Sequence, residues 1–319
     1  AQNEEWVLGV DRWVRRAEVG SAIRGSWVPA PFHYLGLFAR PRFLAVLTLR
    51  DIASMFRVFG GLLSALSIDP LGEERSLPGM TLADFCDGWS PTLTSFFAGL
   101  TRNALPANPE EIPAAGFIAF LRFYTLLRRD AWAFSYLPTD GGTAVIQPLI
   151  EKLRTCGVEI TTDAKVARLE RKPDGWRVIW GQEQKSLSMA DGSFVVLAVD
   201  APSAEVLLRE SPDTASLAAS LRLPSAWPTA VVRLWFDRSP RSLRAEAGIF
   251  SGNFILDNFF WLHRIYDDYI RWGRATGGSA VESHIYGPPQ LLENPDAVVL
   301  AQAIVEVGRA WPEIKEHLI

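Results

Sequence analysis

Residues 136–160 read YLPTDGGTAVIQPLIEKLRTCGVEI. Within them Gly141-Gly142 predicts a tight turn, residues 144–155 a helix, Gly157 its cap and residues 158–161 a short strand. Downstream, residues 166–172 and 176–180 flank Pro173-Asp174-Gly175, turn chemistry that predicts a hairpin. Residues 194–199, FVVLAV, are continuously apolar, the pattern of a strand covered on both faces. Helix, strand, hairpin and buried strand together predict an α/β unit with a β insertion. Beyond it, residues 229–237 (TAVVRLWFD) alternate as a strand does and meet a turn at Arg238-Ser239-Pro240. Residues 254–262 and 279–286 read as strands of the same sheet, and residues 297–310 as a helix that stops before Pro312.

Upstream of Pro138 the texture is helical. Residues 4–26 mix Trp6, Val7, Trp13 and Val14 with charges, which predicts a helix that breaks at Pro29-Ala30-Pro31. No strand followed by a glycine loop is expected in these first residues. Between residues 43 and 66, Ile52, Met55, Phe56, Phe59, Leu63 and Leu66 recur at helical spacing. Arg50, Asp51 and Arg57 interrupt that run, which argues against a membrane span. An amphipathic helix flanked by Arg40, Arg42, Arg50 and Arg57 suits a membrane surface, and a core helix with one solvated face suits the periodicity equally. Thr81 followed by Asp84 imitates a capping box. Residues 96–105 and 114–129 predict further helices. The second carries the stripe Phe117, Phe120, Leu121, Tyr124 and Leu127, a pattern more often core than pocket wall.

The chain has 319 residues, enough for two domains, and is 48% apolar and 21% charged, which is globular composition. Twelve Trp and 18 Phe fill a core or line a pocket for a large apolar ligand. A net charge of -4 with scattered basic residues leaves no nucleic-acid footprint. Cys86 and Cys156 lie far apart, which fits a reduced cytosolic protein, and both read as small core residues. Residues 1–10 carry Glu4 and Glu5 with no apolar run behind a basic start, so no secretory signal is read there. His33, His263, His284 and His317 are isolated from one another and from cysteine, so no metal site is expected. No G-x-S-x-G elbow or P-loop occurs, which removes the common hydrolase and NTPase readings.

Three blocks in order, residues 136–160, residues 163–170 (DAKVARLE) and residues 194–208 (FVVLAVDAPSAEVLL), resemble the mid-chain signature of flavin-containing amine oxidoreductases. The resemblance implies a mixed α/β (α+β) fold: a partial FAD-binding, Rossmann-like domain joined to a substrate domain of mixed sheet and helices. It places the backbone of Val166 against the adenine and makes Ala198 and Pro202 the matching residues of a strand returning to the flavin sheet. It also implies a division into residues 1–137 (helical, membrane-contacting), 138–210 (partial FAD-binding) and 211–319 (substrate-domain sheet and helix). Residues 228–239, PTAVVRLWFDRS, are similar to the corresponding strand of phytoene and zeta-carotene desaturases.

One departure counts against cofactor grip. The family opens with a strand and a G-x-G-x-x-G loop that cradles pyrophosphate, and it closes with a Gly-Asp block. Gly60-Gly61, Gly141-Gly142 and Gly277-Gly278 lack the third glycine and the strand-to-helix setting. This polypeptide alone is therefore expected to hold flavin poorly, as a fragment or incomplete gene product.

If the complete enzyme is a desaturase or isomerase of a carotenoid-like polyene, the flavin carries the chemistry and the protein holds the polyene. Candidate walls are Phe96, Phe97, Phe117, Phe120, Tyr124, Phe259, Phe260 and Trp261, each individually more plausible as core. Asp257 and Arg264 bracket the last three; action on substrate or quinone is one reading, and a surface ion pair is the preferred one. The expected partners are an apolar polyene and a membrane surface, on a cytoplasmic or peripheral protein. Oxidation of an amine or tetrapyrrole is the rival chemistry. A non-catalytic lipid-binding or membrane-binding module is the rival class.

Overall fold

A computed structural model describes residues 4–10, 13–18, 28–39, 41–69, 77–128, 135–181, 187–223, 226–241 and 245–319. Its strands are β1 (Glu4–Val10), β2 (Trp13–Glu18), β3 (Val166–Lys172), β4 (Gly175–Trp180), β5 (Ser188–Gly192), β6 (Ala230–Phe236), β7 (Ala247–Gly252), β8 (Asn258–Trp261) and β9 (Ser279–Ile285). Two compact units emerge, one of Ala1–Ala144 with Trp227–Ile319 and one of Val145–Ala226. These boundaries stand beside the divisions at 137/138 and 210/211 that the family resemblance implies.

The larger unit is built on a six-stranded sheet in the order β2-β1-β7-β8-β9-β6. Only β1 and β7 pair in parallel, with Trp6 opposite Ile249. The helix expected over residues 4–26 is thus a β1–β2 hairpin as far as the described residues reach. Trp6, Val7 and Leu8 are all buried because β1 is covered on both faces. Trp6 and Leu8 enter one apolar core and Val7 enters the other, so two-sided burial erases the alternation that would have announced a strand.

Helices cover one face. The run expected over residues 43–66 divides into Pro41–Leu44 and Leu49–Ser67, because Thr48 and Asp51 form a capping box that starts a new helix. The expected Thr81–Asp84 box is present. Pro91–Arg102 begins earlier than expected, with Ser90 as cap and Pro91 in the first turn. Ala114–Phe120 runs on into a π-helical segment, Leu121–Leu126. Helix Pro91–Arg102 lies close on β7: a Cβ on Gly99 would stand 2.9 Å from the Phe250 carbonyl oxygen. Across the sheet, Asp296–Ala310 packs Val299, Ala303 and Val307 on the second core with Trp311. Its Glu306 carboxylate is buried and accepts hydrogen bonds from the backbone N–H of Ile255 and Leu256. Burial raises that carboxyl, and the two backbone donors oppose the rise. Helix Asp267–Thr276 and strand β7 were not foreseen.

The smaller unit holds the β3–β4 hairpin with its turn at Pro173-Asp174-Gly175, as expected, extended by β5. Helices Gln147–Thr155, Ala201–Glu210 and Ala215–Ser220 accompany it. Gly157, at φ +78°, ends the first in the left-handed region that glycine favours. Three expectations fail along residues 141–199. Gly141-Gly142 does not turn the chain but begins a helix, since the Asp140 carboxylate accepts from the backbone N–H and hydroxyl of Thr143. Residues 158–161 and 194–199 join no ladder. Phe194 is 90% exposed and Val196 86%, whereas Val195 and Leu197 are half-buried, so among the described residues the run is covered in part on one face and bare on the other.

Candidate functional site

Helices Leu49–Ser67 and Pro91–Arg102, the π-helical segment and β1 enclose a cavity of about 390 Å³. The stripe on Leu49–Ser67 divides around it. Met55, Phe59, Leu63 and Leu66 line the cavity, whereas Ile52 and Phe56 face outward. Phe96, Phe97 and Leu100 supply the opposite wall, and Trp6 joins from the sheet. Phe32, Leu35, Phe59 and Leu63 line the cavity and are also exposed, so the apolar lining runs out to the surface at a mouth.

The lining contains no charged residue. Its polar atoms are already used inside the protein: Tyr34 donates its hydroxyl to the Thr125 carbonyl at 2.9 Å, and Thr125 donates to the Leu121 carbonyl at 2.8 Å. Trp6 Nε1 donates to Ser251 Oγ at 2.7 Å. A ligand here finds van der Waals surface and no open hydrogen-bond partner, which selects hydrocarbon over any group needing charge neutralisation.

Of the expected wall residues, Phe96 and Phe97 line the cavity. Phe117 is fully buried behind it, edge-on to Phe85 and Phe97. Phe120 packs on Tyr124, which is 52% exposed. Phe259 and Trp261 point into the second core against Trp311. Phe260, on the other face, meets Tyr136 and His284. The Asp257–Arg264 ion pair does not form: Asp257 is buried and bound to Arg102 at 3.2 Å, and Arg264 pairs with Glu246. Burial raises the Asp257 carboxyl, opposed by the Tyr286 N–H and Arg102. Cys86 is buried, its thiol pushed up to about 12, but Cys156 is exposed and so not the core residue expected. Trp6, Phe43, Leu100 and the stripe Met55, Phe59, Leu63 and Leu66 were missed as lining. The signals were the stripe's own helical spacing and, for Leu100, its place four residues after Phe96 on one helix.

Val166 stands at the exposed start of edge strand β3, and Ala198 and Pro202 are exposed as well. A pyrophosphate fits poorly. The N-termini that begin at Gly142 and Ala201 are each occupied by a carboxylate, Asp140 on Thr143 and Asp200 on Ser203, where an anion would meet like charge.

The sequence model of flavin-containing amine oxidoreductases matches residues 73–313. The chain belongs to this family. A carotenoid phi-ring synthase from Streptomyces griseus is 29% identical over 215 residues, 66% of this chain and 40% of the relative. A putrescine oxidase structure bound to putrescine superposes with a TM-score of 0.64 at 10% identity, over all of this chain and 66% of its own. An oxidoreductase from Methanosarcina mazei gives 0.60 at 12% identity, covering 98% of this chain and 67% of its own. The chain thus spans two fifths of the curated relative, and the two structures share its mixed α/β fold. The family implies a flavin cofactor.

Proposed function

We propose that this chain forms the substrate-holding part of an FAD-dependent oxidoreductase that desaturates or isomerises a carotenoid-like polyene drawn from a membrane surface. The observation that carries the reading is the cavity lined wholly by apolar or internally bonded groups. A diamine or a carboxylated tetrapyrrole would bring charges that the lining leaves unpaired, at a penalty of several kcal/mol each. The carotenoid-modifying relative supports the same choice. Bound flavin would supply hydride acceptance from an unactivated bond, while the protein's side chains hold the hydrocarbon and exclude water. Leu49 and Phe56, each 86% exposed on the cavity helix, suit a lipid surface that delivers such a ligand to the mouth. Among the described residues no helix is long and apolar enough to cross a membrane.

The test is anaerobic bleaching of the flavin-loaded protein, expressed from its complete gene, by a carotenoid, by putrescine and by protoporphyrinogen. Bleaching by the carotenoid alone is expected. Bleaching by either polar substrate but not by the carotenoid overturns the reading.

A further inference from the structure

We propose that Tyr286, His284 and Glu282 form a proton relay that accepts a proton from a ligand lying against Phe260. The assignment rests on the reading above, since turning a C–C single bond into a double bond sheds a proton beside the hydride. The cavity lining offers no acceptor for that proton.

Glu282 and His284 alternate along β9, and Tyr286 follows directly, so all three project to one face of the sheet. That face is the one occupied by Trp6. The paired row Trp6, Ile249, Asn258, His284 and Val231 runs straight across the sheet. His284 therefore lies three strand spacings from the cavity wall, about 14 Å. Helices cover the β1–β7 half of this face, but among the described residues the β9–β6 half is open: Val231 is 58% exposed and Trp235 37%. Phe260, 5.5 Å from the His284 ring, and Tyr136 give the open half an aromatic floor.

The hydrogen bonds fix the direction of transfer. His284 Nε2 lies 3.0 Å from Glu282 Oε1, and Glu282 is also bound by Arg233. Both contacts hold the Glu282 carboxyl below its ordinary range, the His284 contact most, so it is an acceptor. In the neutral ring Nε2 then carries the hydrogen, which leaves a lone pair on Nδ1. Tyr286 donates its hydroxyl to that lone pair at 2.8 Å. The Asn258 side-chain N–H stands 3.4 Å from both atoms and is anchored on Asn103 at 2.8 Å.

A C–H bond of the ligand breaks, and its electron pair becomes the new π bond as the neighbouring carbon yields hydride to the bound acceptor. The released proton goes to the Tyr286 oxygen, whose own proton passes to His284 Nδ1. The imidazolium formed faces the Glu282 carboxylate, which partly offsets its charge. The other titratable or charged groups at this place are Arg233 from β6 with Tyr269 behind it, Asp257 with Arg102 on the Tyr286 side, Tyr136 on Phe260, and Glu4 in the paired row Glu4, Ala247, Phe260 and Glu282.

The test has two arms. Nitrogen-15 NMR of the chain with labelled histidine is expected to show neutral His284 protonated at Nε2. Protonation at Nδ1 overturns the relay whatever the substrate is. In flavin-loaded protein from the complete gene, Tyr286→Phe and His284→Asn are expected to lower kcat with a carotenoid by about 10²-fold with unchanged Tm. Glu282→Gln should move the acid limb of the kcat/KM profile to lower pH, because the imidazolium loses its counter-charge. Rates within about threefold of wild type for all three variants, with an unmoved limb, overturn the proposal. Absence of any turnover in wild type sinks the substrate reading and the relay with it, whereas turnover with His284 protonated at Nδ1 sinks the relay alone.

Discussion

Glu4 offers a test of how strongly this sheet face resists charge. It sits two residues before Trp6 on β1 and so shares the face of the cavity and the open half-sheet. Burial raises its carboxyl from 4.5 to about 8, and the nearby Tyr136 hydroxyl is raised by burial first and by Glu4 second. The sign follows from linkage: a carboxyl raised on folding favours the protonated native state. Its contribution is full below the unfolded value, falls through the interval from 4.5 to about 8, and is flat above it. At 1.36 kcal/mol per pH unit that interval caps the loss at about 5 kcal/mol, and partial exposure of the carboxyl brings it to about 2–3 kcal/mol. Glu4→Gln removes the titration and keeps the shape. Urea unfolding at about pH 4.5 and about pH 9 should give equal stabilities for both proteins in acid and an advantage of about 2–3 kcal/mol to the variant in base. An advantage independent of pH, or one growing toward acid, would refute the reasoning.

Three further outcomes are expected. Glu306→Ala orphans the buried backbone N–H groups of Ile255 and Leu256 and should lower stability by about 2–4 kcal/mol, read as a drop in the urea midpoint; a change under about 0.5 kcal/mol contradicts the assignment. Gly99→Ala puts a methyl 2.9 Å from the Phe250 carbonyl, so helix Pro91–Arg102 must shift, with about 1–3 kcal/mol lost and carotenoid quenching of tryptophan fluorescence weakened. Leu49→Asp with Phe56→Asp should leave Tm unchanged, since both side chains are 86% exposed, yet abolish flotation with anionic liposomes; flotation equal to wild type removes the membrane from the proposal.

Legibility in this sequence followed the range of the signal. The β3–β4 hairpin, the Thr81 cap and helix Asp296–Ala310 are written in turn chemistry, capping and period within a few residues, and they fold as read. β1 and β7 are settled by what lies across the chain. β1 pairs in parallel with a strand more than 200 residues away, and it is buried on both faces, so its Trp-Val-Leu run carries no alternation to read. The site divides the same way. Helical spacing found the stripe from Met55 to Leu66 and the Phe96–Phe97 pair, but no local pattern says that Trp6 and Phe43 close the cavity from β1 and from a separate short helix.

The largest misreading, residues 194–199, is instructive because the pattern was real. An unbroken run of Phe, Val, Leu and Ala declares that both faces of a segment need cover, and burying a Phe or Val side chain contributes about 1.5–3 kcal/mol. It does not say what provides the cover. Among the described residues Val195 and Leu197 are half-buried, Phe194 and Val196 are almost bare, and the segment enters no ladder. The same logic separates the two fates of the apolar stripe on helix Leu49–Ser67. Met55 and Leu66 find protein across a cavity, whereas Phe56 finds none and remains exposed. Hydrophobic pattern is thus a measure of demand. Where the fold leaves that demand unmet, at the mouth beside Phe59 and Leu63, is where an apolar ligand gains most by binding.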